Sequence, residues 1–168
     1  IFLWISKTLA DKIQISVFSD LQCPACQRFA EQIPMLKKRY AGKINIQYFF
    51  YPLDQNCNPN MKSPMHLYAC QAAYLAACVG DEKFEEVHDY IFENQGKMDV
   101  EWLNNLAKKY NVFECMNAQS TKDIVSATIK AGDFYNMQST PTIIINGKKL
   151  EGAMPLNQWY ALFDEMIK

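Results

Sequence analysis

Cys23-Pro24-Ala25-Cys26 carries the most pointed chemistry in this 168-residue chain. Two thiols three residues apart on a helix lie one turn from each other, close enough to close a disulfide ring or to contribute half of a zinc site. The flanks say where the pair sits. Lys12 to Phe18 alternates around Ile13, Ile15 and Val17 and reads as a buried strand. After a short polar turn, Gln27 to Tyr40 places Phe29, Ile33, Leu36 and Tyr40 at helical spacing. The cysteines therefore stand where a strand hands over to a helix N-terminus. Unpaired N–H groups and the positive end of the helix dipole stabilise an anion there, and a thiolate is such an anion. Cys23 is expected to have a depressed pKa and to be the attacking sulfur, with Cys26 as its resolving partner. Pro24 suits the first helical position, because its fixed φ fits and its missing N–H is not needed.

Competing readings of these residues can be weighed from the sequence. Zinc needs a second set of soft ligands, and no other C-x-x-C and no H-x-H occurs. His66 and His88 are singletons inside helical pattern and read as satisfied helix histidines. Asp20, three residues before Cys23, is a secondary candidate. Its carboxylate could accept a proton or raise the thiol pKa; a solvated turn aspartate is the plainer alternative. Redox exchange at Cys23 and Cys26 is the better reading of the pair.

The elements that must position the pair follow in order. The first helix carries Pro34 in its interior, which removes one backbone hydrogen bond and is expected to kink it. Ala41-Gly42-Lys43 ends it, and Ile44 to Tyr51 is a second β-rich run. Strand, helix, strand at this length is a βαβ unit with parallel strands and a right-handed crossover. Pro52 to Pro64 is a turn-rich loop containing Cys57. From Met65 to Tyr135 every periodic segment is helical. Phe84, Val87 and Ile91 share one face, Leu103, Leu106, Ala107 and Tyr110 a second, Ile124, Ala127 and Ala131 a third. Asp99, and Ser120 or Thr121, read as N-caps of the last two helices. Thr142 to Ile145, the turn Asn146-Gly147 and Lys148 to Glu151 form a hairpin. Pro155 then opens a final helix with Leu156, Trp159, Tyr160, Phe163 and Ile167 on one face.

Bulk properties bound the rest. The chain is long enough for one domain with a real core, and 49% hydrophobic and 13% aromatic content say globular. A net charge of −1 with both signs scattered leaves no basic footprint for nucleic acid. Six cysteines, an even number, point to an oxidising compartment. The opening Ile1-Phe2-Leu3-Trp4-Ile5 is apolar but too short to span a bilayer; it reads as the tail of a removed membrane segment or signal, or as an edge strand. The aromatic and methionine content of the helical block reads as core or as a client groove.

With C-x-x-C at a helix start, a helical block, then Thr140-Pro141 before a hairpin and a last helix, the chain resembles the thioredoxin fold. The inserted helices place it closest to the DsbA-like thiol–disulfide oxidoreductases. The matching stretches are Phe18-Ser19-Asp20-Leu21-Gln22-Cys23-Pro24-Ala25-Cys26, Val87-His88-Asp89-Tyr90-Ile91-Phe92-Glu93-Asn94-Gln95, Ser139-Thr140-Pro141-Thr142 through Asn146-Gly147-Lys148, and Gly152-Ala153. Tyr51-Pro52-Leu53-Asp54 with Cys57-Asn58-Pro59, His66 and Ala69-Cys70 is similar, more narrowly, to thioredoxin-like domains associated with bacterial homologues of vitamin K epoxide reductase. The implied fold is α/β: a thioredoxin core of βαβ plus ββα with an inserted all-helical block. That divides the chain into an N-terminal extension or edge strand (1–12), a core (13–64 and 136–168) and an insertion (65–135).

The resemblance implies that Pro141 is cis and lies against the C-x-x-C, with Thr140 presenting backbone groups to an extended substrate. An ordinary loop proline is the alternative, and the C-x-x-C is what disfavours it. Pro24 and Ala25 tune the thiols and face the client. The other four cysteines allow three pairings. The resemblance implies Cys78–Cys115 and leaves Cys57–Cys70; buried free thiols, or a Cys57–Cys70 pair that shuttles electrons to Cys23–Cys26, are the alternatives. The expected function is thiol–disulfide exchange with cysteine-containing protein clients, in the oxidase, isomerase or reductase direction, with no cofactor and no metal. Thr140 before the proline leans away from the most strongly oxidising members. Expected partners are those clients and a membrane redox protein that resets Cys23–Cys26, such as a quinone-linked vitamin K epoxide reductase homologue. The expected location is extracytoplasmic, with anchoring through a preceding segment left open; the chain could equally be the soluble arm of a larger membrane protein. With no dimerisation segment ahead of the fold, a monomer is expected. The reading from a different class is a redox-inactive or metal-delivering thioredoxin-fold binding module.

Overall fold

A computed structural model describes residues 12–168, so the reading of the first eleven residues as an extension or edge strand lies outside the described residues. Strand β1 (Ile13–Ser19) leads through the turn at Asp20-Leu21-Gln22 into helix α1 (Pro24–Arg39) and then β2 (Ile44–Phe50). Five helices follow: α2 (Ala69–Cys78), α3 (Asp81–Glu93), α4 (Val100–Lys109), the single turn α5 (Phe113–Met116) and α6 (Gln119–Phe134). Strands β3 (Thr142–Ile145) and β4 (Lys148–Glu151) and helix α7 (Leu156–Ile167) complete the chain. The sheet order is β2-β1-β3-β4. β1 runs parallel to β2 with Ile13 opposite Ile44, and antiparallel to β3 with Phe18 opposite Thr142. This is the thioredoxin-type α/β architecture implied by the sequence.

Both faces of the sheet are covered, and strand alternation divides the core accordingly. Ile13, Ile15, Val17, Ile143 and Ile145 pack with Phe29, Ile33, Trp159 and Phe163 of α1 and α7. Phe18 and Ile144 join a second cluster built from the helices between β2 and β3, with Leu75, Val87, Ile91, Leu103 and Ile129 buried in it. That coverage is why all four residues of β3 are buried although they form one short run. At the hairpin, Asn146 (φ 47) and Gly147 (φ 85) take the left-handed conformations that a two-residue turn requires.

Three local expectations are corrected. Helix α6 is capped by Ala118 and starts at Gln119, so Ser120 and Thr121 lie inside it. Thr121 is buried and donates to the Cys115 carbonyl (2.7 Å), a tertiary partner that removes it from capping. The buried face of α6 is Thr121, Val125, Ile129 and Gly132, while Ile124 is 53% exposed. The helix carries two candidate stripes, and the one with Gly132 wins because Tyr51 packs there: a Cβ on Gly132 would meet its ring at 2.6 Å. Finally, His66 is not helical. The loop after β2 runs on to Tyr68, because it is held by side-chain bonds to the turn before Cys23, described next. Asp99 does cap α4, accepting from the Trp102 N–H at 2.7 Å.

Candidate active site

Cys23 is the N-cap of α1, in extended conformation (φ −81°, ψ 124°), and Pro24 is the first helical residue. Its side chain makes no capping bond and is left for chemistry. The backbone N–H groups of Cys26 and Ala25 lower the pKa of its thiol, as expected of a helix N-terminus. Cys26, one turn on, is 1% exposed, and its sulfur accepts the Asp20 N–H at 3.4 Å. Pro24 is exposed and Ala25 half-buried. Both Cys23 and Cys26 are thiols in this structure.

Antiparallel pairing of β3 with β1 delivers the second half of the site. Opposing Phe18 with Thr142 puts Thr140-Pro141 beside the turn that leads to Cys23. The Thr140–Pro141 peptide is cis, and the Cys23 thiol donates to the Thr140 carbonyl at 3.6 Å. Proline has no N–H of its own to present there. The Pro141 carbonyl is occupied by the Gly152 N–H (2.8 Å), and the Thr142 hydroxyl bonds the Ser139 carbonyl (2.7 Å), which fixes the approach. The Thr140 hydroxyl is buried and has no partner within ordinary hydrogen-bond reach, so it is free to donate to sulfur.

The two thiols titrate in opposite directions. Cys23 is brought down to about 5, first by the hydrogen bond from the Cys26 thiol, against the opposing effect of burial, then by Thr140 and by the N–H groups of Cys26 and Ala25. Cys26 is pushed well above the ordinary thiol value, chiefly by burial and also by giving its hydrogen bond and proximity to the Cys23 thiolate. A nucleophile with a depressed pKa, 7% exposed, and a resolving thiol sealed further in, 1% exposed, are the division of labour that exchange requires.

A family profile described as thioredoxin matches residues 7–165. The chain belongs to the thioredoxin family. Among curated relatives, disulfide bond formation protein D of Bacillus subtilis (strain 168) is 24% identical over 158 residues, which covers 83% of this chain and 65% of that protein. Na(+)/H(+) antiporter NhaA 1 of Mycolicibacterium gilvum (strain PYR-GCK) is 23% identical over 145 residues, covering 80% of this chain and 22% of the other. The chain thus spans less than two thirds of the length of either relative. Among solved structures, alpha-DsbA1 of Wolbachia pipientis superposes with a TM-score of 0.76 at 18% identity, covering 93% of this chain and 86% of that one. The shared thioredoxin fold is therefore of the DsbA-like form.

Around this thioredoxin-family centre the structure adds a shell of contacts that local spacing does not reveal. The Gln95 amide, in the 3₁₀ turn after α3, donates to the Leu21 and Cys23 carbonyls (2.9 and 3.1 Å) and clamps the active-site loop. Gln95 closes one of the matching stretches, which was the available signal. Asp20 is 1% exposed, so it is no solvated turn residue. Its carboxylate accepts the Gln22 and Leu53 N–H groups and His66 Nδ1, each at 2.7 Å. Gln22 in turn accepts the Tyr68 N–H (2.9 Å). His88, by contrast, is a helix histidine packed among Tyr48, Phe84 and Phe92, away from this cluster. Cys57 is bonded to Cys70, and Cys78 to Cys115. Among the described residues no group of three or more His, Cys, Asp or Glu is placed to hold a metal ion.

Proposed function

We propose that this chain exchanges disulfides with cysteine-containing protein clients through Cys23 and Cys26, in the disulfide-donating direction. The observation that carries the reading is the Cys23 thiol, low at about 5, beside a buried Cys26 and the cis Thr140–Pro141 peptide. A stable thiolate stabilises the reduced state, and a pair with a stabilised reduced state is an oxidant. In the forward step a client thiolate attacks Cys23 Sγ of the Cys23–Cys26 disulfide. The client–Cys23 bond forms, the Cys23–Cys26 bond breaks, and Cys26 leaves with the electron pair and takes up a proton. A second client thiolate then attacks the client sulfur of the mixed disulfide; the client disulfide forms and Cys23 leaves as the thiolate. The client loses two electrons and the pair gains them. The Thr140 backbone lines the client's approach, Pro24 and Ala25 flank it, and the name of the Bacillus relative agrees with this direction.

Cys57–Cys70 and Cys78–Cys115 act as structural clips in this reading, and two such bridges support an extracytoplasmic location. Turnover then needs a membrane redox partner that reoxidises Cys23–Cys26; a quinone-linked homologue of vitamin K epoxide reductase is the proposed kind. We propose further that the protein works as a monomer. A Cys26→Ser variant tests the role order, because without the resolving thiol Cys23 stays joined to its client. Mixed disulfides to a disulfide-containing protein should accumulate with Cys26→Ser, where the Cys23 thiolate breaks the client disulfide, one client sulfur leaves as thiolate and no resolving thiol follows, and be absent with Cys23→Ser. Accumulation on Cys23→Ser instead would reverse the roles.

A further inference from the structure

His66 ties the loop after β2 to the turn that leads into the thiol pair. Its Nδ1 bonds the Asp20 carboxylate, its N–H bonds the Leu53 carbonyl (3.1 Å), and Tyr68 two residues on bonds Gln22. Asp20 in turn accepts the Cys23 N–H on its carbonyl (3.0 Å) and gives its own N–H to Cys26 Sγ. The His66 side chain is 18% exposed and the Asp20 side chain 0%. The titratable groups that act on the imidazole are Asp20 from the turn, Cys23 from the start of α1 and Asp54 from the loop after β2. Asp54 is itself buried (2%) and bonded to the Asn56 and Cys70 N–H groups. The buried Asp20 carboxylate, three residues before Cys23, would oppose a nearby thiolate; an imidazolium bonded to that carboxylate offsets it. The His66 pKa is raised, first by the Asp20 hydrogen bond against burial and then by the charges of Asp20, Cys23 and Asp54.

We propose that His66, clamped by Asp20, is the cation that stabilises the Cys23 thiolate, so that the redox poise of the pair follows the protonation of His66. This rests on Cys23–Cys26 being an exchanging pair. His66 acts on the sulfur through charge and is a positioning residue, with no covalent part. Because the thiolate exists only in the reduced state, the imidazolium favours reduction and makes the pair more oxidising. By linkage, reduction makes His66 hold its proton more tightly.

The test is equilibration with glutathione: oxidised protein and two glutathione thiols give reduced protein and glutathione disulfide, read by mass for the Cys23–Cys26 peptide from pH 5.5 to 9.5. Wild type should be more oxidising than His66→Gln by about threefold or more at the acid end, about 14 mV for this two-electron couple. The ratio should fall toward one as pH rises through the His66 titration. His66→Lys, which keeps a cation, should stay more oxidising than His66→Gln across that range. A wild-type to His66→Gln ratio of one throughout, or one that does not change with pH, overturns the proposal; the second outcome is what a purely structural contact gives. Should His66→Gln fail to fold, NMR titration of the imidazole in the reduced and oxidised wild-type protein carries the test. A higher pKa in the reduced state supports the proposal, and equal values overturn it. If wild type shows no reversible glutathione couple at Cys23–Cys26, the exchange reading falls first, and that result is distinct from an unaltered His66 variant.

Discussion

Cys23 and Cys26 differ by one helical turn, and that turn is enough to send their titrations apart. The sulfur at the N-cap receives N–H groups and a thiol hydrogen bond, while the sulfur inside the helix is sealed from water. At pH 7 Cys23 is therefore mostly thiolate. Its alkylation by iodoacetamide should stay on a plateau down to about pH 6 and then fall about tenfold per unit below about 5, because only the thiolate reacts. Thr140→Val keeps the shape and removes the buried hydroxyl that lowers both thiols. The midpoint of that alkylation profile should move upward in the variant; an unmoved midpoint would leave the stabilisation to the Cys26 thiol and the backbone N–H groups.

Between elements, covalent and steric constraints hold the helices between β2 and β3 over the site. Cys78 ends α2 and Cys115 lies in α5, 37 residues apart in sequence. By chain entropy, closing that loop stabilises by about 4 kcal/mol, and the 13-residue Cys57–Cys70 loop by about 3 kcal/mol. A Cys78→Ala/Cys115→Ala variant should lose the larger amount in urea unfolding, with a raised m because the freed unfolded chain exposes more surface, while keeping the Cys23 alkylation profile. Gly132 marks where α6 meets the chain leaving β2. A Cβ there would lie 2.6 Å from the Tyr51 ring and 2.7 Å from the Met137 sulfur. Gly132→Ala should cost about 1–3 kcal/mol through overpacking, measurable as a lowered urea midpoint. The ordinary gain in helix propensity from glycine to alanine is smaller than this strain.

At the scale of the whole molecule, the thiolate links redox state to folding. The folded Cys23 value lies near 5 and the ordinary thiol value near 9.0, so folding gains stability with rising pH across the range where the sulfur is ionised in the folded state but not in the unfolded chain. This contribution is complete above the ordinary value, shrinks as pH falls, and is gone below about 5. It exists only when the pair is reduced. The reduced protein should accordingly gain thermal stability relative to the oxidised protein as pH rises from 5 to 8. Paired melting curves of the two forms measure this, and a gap that widens toward acid would contradict the sign.

The sequence by itself determined the thiol pair at a helix start, the strand order along the chain and the Asn146-Gly147 hairpin. Each of these is a local signal: a spacing of three, a period of two or 3.6, and a dipeptide that tolerates positive φ. Asp99 was legible as a cap for the same reason. What tertiary structure decided are matters of who meets whom across the chain. The stripe Thr121, Val125, Ile129 and Gly132 was chosen over Ile124, Ala127 and Ala131 because a tyrosine 81 residues away packs against a missing side chain. Asp20 and His66, 46 residues apart, each had a plain local reading, as a turn residue and as a helix histidine. Only the loop returning over β1 buries the one and points the other at it, and burial, which no local spacing encodes, is what turns that pair into part of the electrostatics of Cys23.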